Sequence, residues 1–393
     1  MAQIDLTGTH WDSTVERLGG AVALEREARA TRAFVKPREV KCAVDLLRLT
    51  LAYCLGDMGL RLTAAWAQGI GLANLSNVAL LGRLRNVVPW LEGIVAHLLT
   101  PSAAGSPPAA PLAGGRQPRL IRLVDATTVR KAGMAARETG KLWRVHAVLD
   151  LPGRAGQERF SAFQLTDEKG AEAIDRIAVV PGEIRIADRV HCRVEGLAKV
   201  LADGADVVVR ASWRSARWLA ADGRGFDLIG ALTGNTTGSI DQPVWLGRDK
   251  AAALPLRLVA VRLPKVEAVK AVLEARREAR SKQSKIQPGT LIAAEWVIIV
   301  TSLQSEAYAT DQVLELYRLR WRIEIAFKRL KSLIGLAGPP GHCAQVAKAW
   351  VLSHLIAVLL TEAHLAALGD SPRSAPSRRA AGPGPTNGAF SAY

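Results

Sequence analysis

Five short segments rich in β-branched residues lie between residues 119 and 212, and they constrain the fold more than any other feature. They are RLIRLVDATTV, WRVHAVLDL, RFSAFQLTD, EIRIADR and DVVVRAS, each bounded by turn-forming residues. Helices are predicted between the later ones, at KGAEAIDRIAVV and CRVEGLAKVLAD. Three consecutive strands followed by alternating strands and helices are typical of a mixed α/β sheet rather than a β-sandwich.

The first hundred residues have a helical pattern instead. The segments AVDLLRLTLAYCL and LRLTAAWAQG predict two helices separated by the helix-breaking GDMG, and Ser76 is a plausible N-cap for a third. This arrangement, followed by Arg83 and Arg85, fits a DNA-reading helix-turn-helix, but a helical bundle with a solvated basic rim fits it equally well. Periodicity alone does not separate the two.

Composition marks further boundaries along the chain. Residues 218–295 contain turn-forming residues at spacings typical of hairpins, followed by the charged helix KVEAVKAVLEARREARSKQSK. This pattern indicates an insertion before the α/β pattern resumes at EWVIIVTSL. The predicted organisation is a helical N-terminal DNA-binding domain (1–99), a Pro/Gly/Ala-rich linker (100–118), a core in two parts (119–217 and 296–345) around the insertion (218–295), a C-terminal helix (346–369) and a disordered tail (370–393).

The formal net charge of +16, with a pI near 10.2, indicates a polyanionic partner. Nucleic acid is the commonest such partner, although ribosomal and membrane-surface proteins share the bias. The four cysteines show no CxxC spacing, which argues against a zinc module or a disulfide framework and suits a reducing cytosol. No secretory signal is evident, and the apolar segment AWVLSHLIAVLLTEAHLAAL is interpreted as a packed helix rather than a membrane span.

The segment YRLRWRIEIAFKRLK, residues 317–331, places one acid in a basic run. On a single continuous helix, Leu319, Ile323, Phe327 and Leu330 form an apolar stripe, and Arg318, Arg322 and Arg329 form an outer basic face. Between them lies a stripe that holds Tyr317, Arg320, Glu324, Lys328 and Lys331. The simplest interpretation makes Glu324 the salt-bridge partner of Arg320 and Lys328 at i±4 spacing.

Two aspartates favour a different role for Glu324. Asp125 lies inside the first predicted strand and Asp188 at the end of a later one, where an uncompensated carboxylate is costly. Three carboxylates without a His or Cys cluster suit Mg²⁺ or Mn²⁺ rather than zinc. Two such ions would activate an attacking oxygen and stabilise a leaving oxygen at phosphorus. The neighbouring cations would hold DNA phosphates.

These residues resemble the bacterial DDE transposases of the insertion-sequence-four group. That group carries a Tyr-(2)-Arg-(3)-Glu-(6)-Lys signature, which is similar to Tyr317, Arg320, Glu324 and Lys331 here. LVDATTV and IADRVHC resemble the segments that carry the family's two aspartates, and the likeness runs from about Leu46 to about Ala363.

The resemblance implies an α/β fold with a ribonuclease-H-like catalytic core, interrupted by a β-rich insertion. It implies cleavage of transposon ends and strand transfer, with Asp125, Asp188 and Glu324 binding two divalent ions, Mg²⁺ or Mn²⁺. Tyr317, Arg320 and Lys331 would contact the DNA backbone, with Lys328 a weaker candidate. The implied partners are double-stranded DNA and a second copy in a dimeric synaptic complex, in the bacterial cytoplasm at the nucleoid.

Four other positions have expected roles. Trp296 lies 28 residues before Glu324, the interval at which relatives place a base-stacking tryptophan, and Trp321 is the second candidate. Arg210 matches an arginine that related enzymes direct at DNA. Val190 and His191 follow the ADR segment where many relatives have a Gly-Tyr pair. His191 is interpreted as a structural histidine, with an approach to the metal site as the alternative.

Two other functions remain open at this point. The same core could serve a structure-selective nuclease that cuts without strand transfer. The helical N-terminal part could instead serve a DNA-binding regulator whose core is inactive, although the three intact acids argue against that. Joining of pre-cut ends to target DNA, and metal-dependent nicking, separate these alternatives.

Overall fold

The computed structural model describes residues 10–100, 119–130, 142–151, 158–214, 217–247, 253–333 and 343–369. The chain divides into two compact units. Among the described residues, the first contains 10–100, 125–130, 142–151, 158–171, 321–333 and 343–369, and the second contains 119–124, 172–214, 217–247 and 253–320. Strand β1 (Ile121–Arg130) belongs to both, with residues 121–124 in the second unit and the rest in the first.

The N-terminal part of the first unit is helical, as predicted. Its helices are α1 (Trp11–Arg17), α2 (Ala21–Ala30), α3 (Ala43–Leu55), α4 (Leu60–Gly69), α5 (Asn77–Asn86) and α6 (Val88–Leu99). The bounds of α3 and α4 agree with the sequence pattern, and the Ser76 hydroxyl caps α5 by accepting the Ala79 amide at 3.2 Å. The separation of residues 1–99 as a domain stays a prediction.

The remaining elements of the first unit are two strands and two helices. Strands β2 (Leu142–Leu151) and β3 (Arg159–Asp167) pair antiparallel, in the order β3-β2-β1. The helices are α12 (Trp321–Leu333) and α13 (Ala344–Gly369). By length and composition α13 could cross a membrane, but 78% of its apolar window is buried within the protein, where it packs against α6, α3 and α5. The expected packed helix is therefore observed.

The second unit contains a sheet with strand order β1-β4-β5-β9-β8-β7-β6. Strands β1, β4 (Ile184–Ala187) and β5 (Asp206–Arg210) are parallel. The other strands pair antiparallel and are β6 (Trp218–Leu219), β7 (Ser239–Leu246), β8 (Leu254–Arg262) and β9 (Trp296–Thr301). Helices of this unit are α7 (Val194–Ala202), α8 (Leu228–Gly234), α9 (Lys265–Ser281), α10 (Pro288–Ala294) and α11 (Thr310–Arg318).

The helix predicted at KGAEAIDRIAVV, residues 169–180, is wrong, because this segment is irregular. The cause is Arg185, a fully buried residue of β4. Its guanidinium donates to the backbone carbonyls of Ile174, Ile177 and Ala178 at 2.6, 2.8 and 2.5 Å. The carbonyls therefore serve a buried cation rather than amides four residues further along a helix.

The single helix predicted for residues 317–331 is also wrong. Helix α11 ends at Arg318, and α12 begins at Trp321. The turn between them is closed by i→i−3 bonds, Leu319 N to Leu316 O at 3.1 Å and Arg320 N to Tyr317 O at 3.0 Å. The stripe calculated for an unbroken helix therefore does not extend from Tyr317 and Arg320 to Glu324. The predicted linker and tail lie outside the described residues, apart from Thr100.

The buried ion cluster of β4 generates a stability prediction. Glu183 is fully buried; it pairs with Arg185 and accepts Arg122 Nη1 at 2.9 Å. Glu183→Gln leaves two largely buried guanidinium groups without their carboxylate, so we expect a loss of about 3–5 kcal/mol in the free energy of unfolding by urea. Glu278→Gln is the control, because Glu278 pairs with Lys282 and Arg189 at the surface and should change stability by less than about 1 kcal/mol. Equal losses in both variants would contradict the role given to Glu183.

Candidate active site in two parts

The first unit contains a cleft that joins one predicted catalytic aspartate to the predicted glutamate. Asp125 comes from β1 and Glu324 from the first turn of α12. The cleft has a volume of about 580 Å³ and is lined by Asp125, Ala126, Glu324, Phe327, Lys328, Lys331 and Ser332. Two carboxylates and two ammonium groups therefore share one opening.

The packing of α12 explains this composition. Ile323, Phe327 and Leu330 are buried, and the Phe327 ring lies 6.1 Å from that of Phe160. With this face inward, Glu324 and the residues four and seven positions later are exposed along one stripe. The stripe predicted for Glu324, Lys328 and Lys331 is thus confirmed within α12, whereas Leu319, expected on the apolar face, is only half-buried in the turn before the helix.

Arg322 has a role that the sequence did not reveal. The sequence pattern predicts an outer basic position for it, whereas its Nη1 lies 2.6 Å from Glu158 Oε1 and its side chain is only 29% exposed. This pair connects the first turn of α12 to Glu158, the residue preceding β3. Arg322 lies two positions before Glu324 in the sequence. The partner is 164 residues away, so no local pattern could have identified it.

The Glu362 carboxylate contacts the start of β3 in the same unit. Glu362 of α13 accepts the Phe160 amide at 3.2 Å, and burial raises the pKa of Glu362 to about 7. The same Phe160 whose ring faces Phe327 is thereby held through its backbone. Backbone and ring together anchor the start of β3 beside α12.

The second unit contains a separate polar cluster around Asp188. Asp188 directly follows β4 and precedes the 3₁₀ turn Arg189–His191. The Arg320 Nε donates to the Tyr317 hydroxyl at 3.1 Å, and the Arg320 guanidinium lies 5.6 Å from the Tyr317 ring centre. Burial raises the pKa of Tyr317; the Asp188 charge raises it further, while the charges of Arg320 and Arg210 lower it. The phenol, the two arginines and Asp188 therefore lie within electrostatic range of one another.

His191 is buried in the same unit, with 1% of its surface exposed. Burial lowers its pKa to about 4, so the ring is neutral near pH 7. Its Nδ1 has no hydrogen-bond partner among the described residues. Burial of the neutral ring favours the interpretation of His191 as a structural residue.

The two tryptophans differ in accessibility. Trp296 begins β9 with only 2% of its surface exposed and Arg262 5.9 Å from its ring centre, so the ring has no open face for a base. Trp321 begins α12 and is 51% exposed. Burial therefore disfavours the stacking role expected of Trp296 and leaves Trp321 as the better candidate.

The donor chemistry of the first unit suits a hard divalent cation. Asp125 and Glu324 supply carboxylate oxygens, which Mg²⁺ and Mn²⁺ prefer, and Asp125 Oδ1 also accepts the Ala126 amide at 2.8 Å. Within the described ranges, no three His, Cys, Asp or Glu side chains gather closely enough to form a metal-binding group. The structure therefore brings Asp125 and Glu324 together, while Asp188 belongs to the other unit.

Comparison with known proteins gives consistent results. Residues 116–360 match the family model described as the transposase DDE domain. The chain is 38% identical over 377 residues to the InsL protein of insertion sequence element IS186A from Escherichia coli strain K12, covering 94% of this chain and 98% of that protein. It is 38% identical over 378 residues, with the same coverage, to the transposase for insertion sequence element IS421 from Escherichia coli.

The Asp188 cluster generates a prediction about the ionisation of Tyr317. Asp188→Asn removes an anion that disfavours the phenolate, so the pKa of Tyr317 should fall, whereas Arg320→Gln removes a cation and should raise it. The measurement is a ¹³Cζ-tyrosine NMR titration, with the signal assigned through Tyr317→Phe. Asp203→Asn, at an exposed aspartate of the same unit, should leave the pKa unchanged. Shifts of the same sign in Asp188→Asn and Arg320→Gln would contradict the arrangement.

Proposed function

The chain belongs to the transposase DDE domain family and is a metal-dependent transposase, and from that premise we propose which residues act in catalysis and which contact DNA. The enzyme cleaves the ends of a transposable element and joins their 3′-hydroxyls to target DNA. Asp125, Asp188 and Glu324 form the catalytic set. The cleft that holds Asp125 and Glu324 together is the observation that carries this assignment.

Asp188 joins the set through strand register. Val124 of β1 and Ala187 of β4 are partners in the parallel pairing, and Asp125 and Asp188 are the next residues on the two strands. Each aspartate therefore directly follows the last residue pair of this ladder. We propose that the two aspartates and Glu324 serve one catalytic centre in the active enzyme.

The carboxylates would hold two divalent ions, Mg²⁺ or Mn²⁺, which would lower the pKa of the attacking oxygen and stabilise the leaving oxygen in an in-line displacement at phosphorus. The side chains position the substrate. Lys328 and Lys331 extend from the same helix face as Glu324 and neutralise the phosphates beside the scissile bond. Their arrangement at i+4 and i+7 lets one strand follow the helix.

Tyr317, Arg320 and Arg210 provide the second half of the DNA contact. The raised pKa of Tyr317 keeps its hydroxyl protonated, so it can donate to a phosphate oxygen while it accepts from Arg320. Arg320 and Arg210 bring fixed positive charge to the neighbourhood of Asp188. Trp321, exposed at the start of α12, offers a ring on which an unstacked base can lie.

We also propose the finer family assignment. Tyr317, Arg320, Glu324 and Lys331 fit the signature of the insertion-sequence-four group. The parallel strands β1, β4 and β5 and the antiparallel β2–β3 hairpin are consistent with a ribonuclease-H-like core, into which residues 218–295 are inserted before β9. The substrate is double-stranded DNA, the active form is a dimer that brings two ends together, and the enzyme works at the nucleoid in the bacterial cytoplasm.

The catalytic assignment predicts the behaviour of one substitution. Glu324→Gln removes a carboxylate ligand at nearly constant shape, so Mg²⁺-dependent cleavage should fall at least about a hundredfold. Binding of the same DNA without metal should stay within about twofold, because positive charge is unchanged. The substrate is a plasmid that carries the coding sequence with its flanking DNA, and cleavage is followed by end mapping.

Glu315→Gln is the matched control, because Glu315 is an exposed glutamate of α11 that does not line the cleft. It should cleave at the wild-type rate. Joining of pre-cut ends to a target plasmid should be lost with Glu324→Gln as well. Cleavage by Glu324→Gln at the rate of the control would remove Glu324 from the catalytic set, and cleavage without joining in the wild type would indicate a nuclease instead.

A further inference from the structure

The guanidinium of Arg257, a buried residue of β8, contacts two parts of the second unit at once. Its Nε and Nη2 donate to the two carboxylate oxygens of Asp241 at 2.7 and 2.5 Å. Its Nη1 donates to the backbone carbonyls of Leu303 and Tyr308 at 3.2 and 2.6 Å. Both carbonyls belong to residues 302–309, the connection between β9 and α11. One buried cation therefore joins the β7–β8 pair to this connection through charge-assisted hydrogen bonds.

Asp241 extends the same network to the first residue of α11. It lies on β7 two residues from Pro243, the residue paired with Arg257, so both side chains point to the same face of the sheet. Asp241 Oδ2 also accepts the hydroxyl of Thr310, where α11 begins. The hydrogen bonds from Arg257 lower the pKa of Asp241, so the carboxylate is ionised near pH 7. An anion beside the first turn of a helix is stabilising, because the exposed amides there carry partial positive charge.

The beginning of the connection is bound to β5 instead. Ser302 Oγ donates to Asp206 Oδ1 at 2.5 Å and accepts the Val207 amide at 3.0 Å. The bonds from Arg257 and Asp241 hold the second half of the connection, which leads directly into α11.

Helix α11 transmits its starting position to two residues that are proposed to contact DNA. Its Val313 and Leu316 are buried, and the helix packs against β5 and β4. Tyr317 lies seven residues after Thr310, about 10 Å along the helix axis. Arg320 follows in the turn, and its Nε donates to the Tyr317 hydroxyl at 3.1 Å. A change in tilt at the start of α11 therefore moves both side chains.

We propose that Asp241 and Arg257 are positioning residues that hold the start of α11 and thereby place Tyr317 and Arg320 for contact with the DNA backbone. This inference rests on the proposed function, which assigns that contact to Tyr317 and Arg320. It gives β7 and β8, which lie in the predicted insertion, a role in substrate binding. A role confined to the stability of the β7–β8 pair needs only the bonds between Arg257 and Asp241, whereas three further bonds go to the segment that carries Tyr317.

The test is a double-mutant cycle on DNA binding, with EDTA present so that no cleavage occurs. Full-length protein is titrated into a fluorescein-labelled duplex taken from the DNA that flanks the coding sequence. Tyr317→Phe/Arg320→Gln should weaken binding at least about tenfold, because it removes hydrogen bonds to charged phosphates. Asp241→Asn should weaken binding at least about fivefold in the wild-type background, but less than about twofold when added to Tyr317→Phe/Arg320→Gln.

A spectroscopic measurement follows Tyr317 without DNA. Burial raises the pKa of Tyr317, so release of α11 should admit water and lower this pKa toward about 10. Asp241→Asn should show this fall in the ¹³Cζ-tyrosine titration. Thr310→Val, which removes only the hydroxyl donor and leaves the charge unchanged, should show a smaller fall. Because Thr310→Val keeps the pair of Arg257 and Asp241, it also tests the inference should Asp241→Asn fail to fold.

Glu295→Gln provides the comparison on the same strand. It removes another carboxylate that pairs with an arginine of β8, since Glu295 Oε2 lies 2.7 Å from Arg262 Nη2. Glu295 precedes β9, whereas the connection to α11 follows β9. The DNA affinity and the pKa of Tyr317 should therefore both equal those of the wild type.

The possible failures are distinguishable. Additive losses in the cycle would mean that Asp241 acts on binding through the general stability of the fold, and the inference would be wrong. Weakened binding with an unchanged pKa of Tyr317 in both Asp241→Asn and Thr310→Val would overturn it as well. Unchanged binding by Tyr317→Phe/Arg320→Gln, with a lowered pKa of Tyr317 in Asp241→Asn, would instead refute the proposed DNA contact itself, and the inference with it.

Discussion

The packing of the apolar face of α12 determines which charged side chains of the first unit line the cleft. Ile323, Phe327 and Leu330 bury one face of the helix, and the opposite stripe then carries a carboxylate and two lysines past Asp125. Arg322 also forms a partly buried ion pair with Glu158, which fixes the first turn of α12.

In the second unit, the position of the Asp188 carboxylate depends on the anchoring of β4. Strand β4 is anchored by the buried Glu183 and Arg185, and Asp188 follows as soon as the strand ends. The charges of Asp188, Arg320 and Arg210 all act on Tyr317, whose hydroxyl accepts a hydrogen bond from Arg320. The first unit therefore presents two carboxylates with lysines, and the second presents one carboxylate with arginines and a phenol. Membership of the transposase DDE domain family accounts for the presence of both carboxylates and cations.

Much of the architecture follows from local sequence, because β-branched runs and helix caps act over a few residues. The bounds of α3, α4 and β3 were predictable on these grounds. The failures have long-range causes. Arg185 donates to the carbonyls of Ile174, Ile177 and Ala178 and prevents a helix there, and a turn at residues 319–320 divides the signature segment. The burial of Trp296 and the pairing of Arg322 with Glu158 likewise depend on residues distant in sequence.

The central proposal is that Asp125, Asp188 and Glu324 hold one pair of ions, and Mn²⁺ binding tests it most directly. Electron paramagnetic resonance of Mn²⁺ bound to the protein in the presence of duplex DNA counts the ions and reports their coupling. The account predicts two coupled ions in the wild type and their loss to a similar extent in Asp125→Asn, Asp188→Asn and Glu324→Gln. Wild-type binding by Asp188→Asn, with loss in the other two variants, would contradict it.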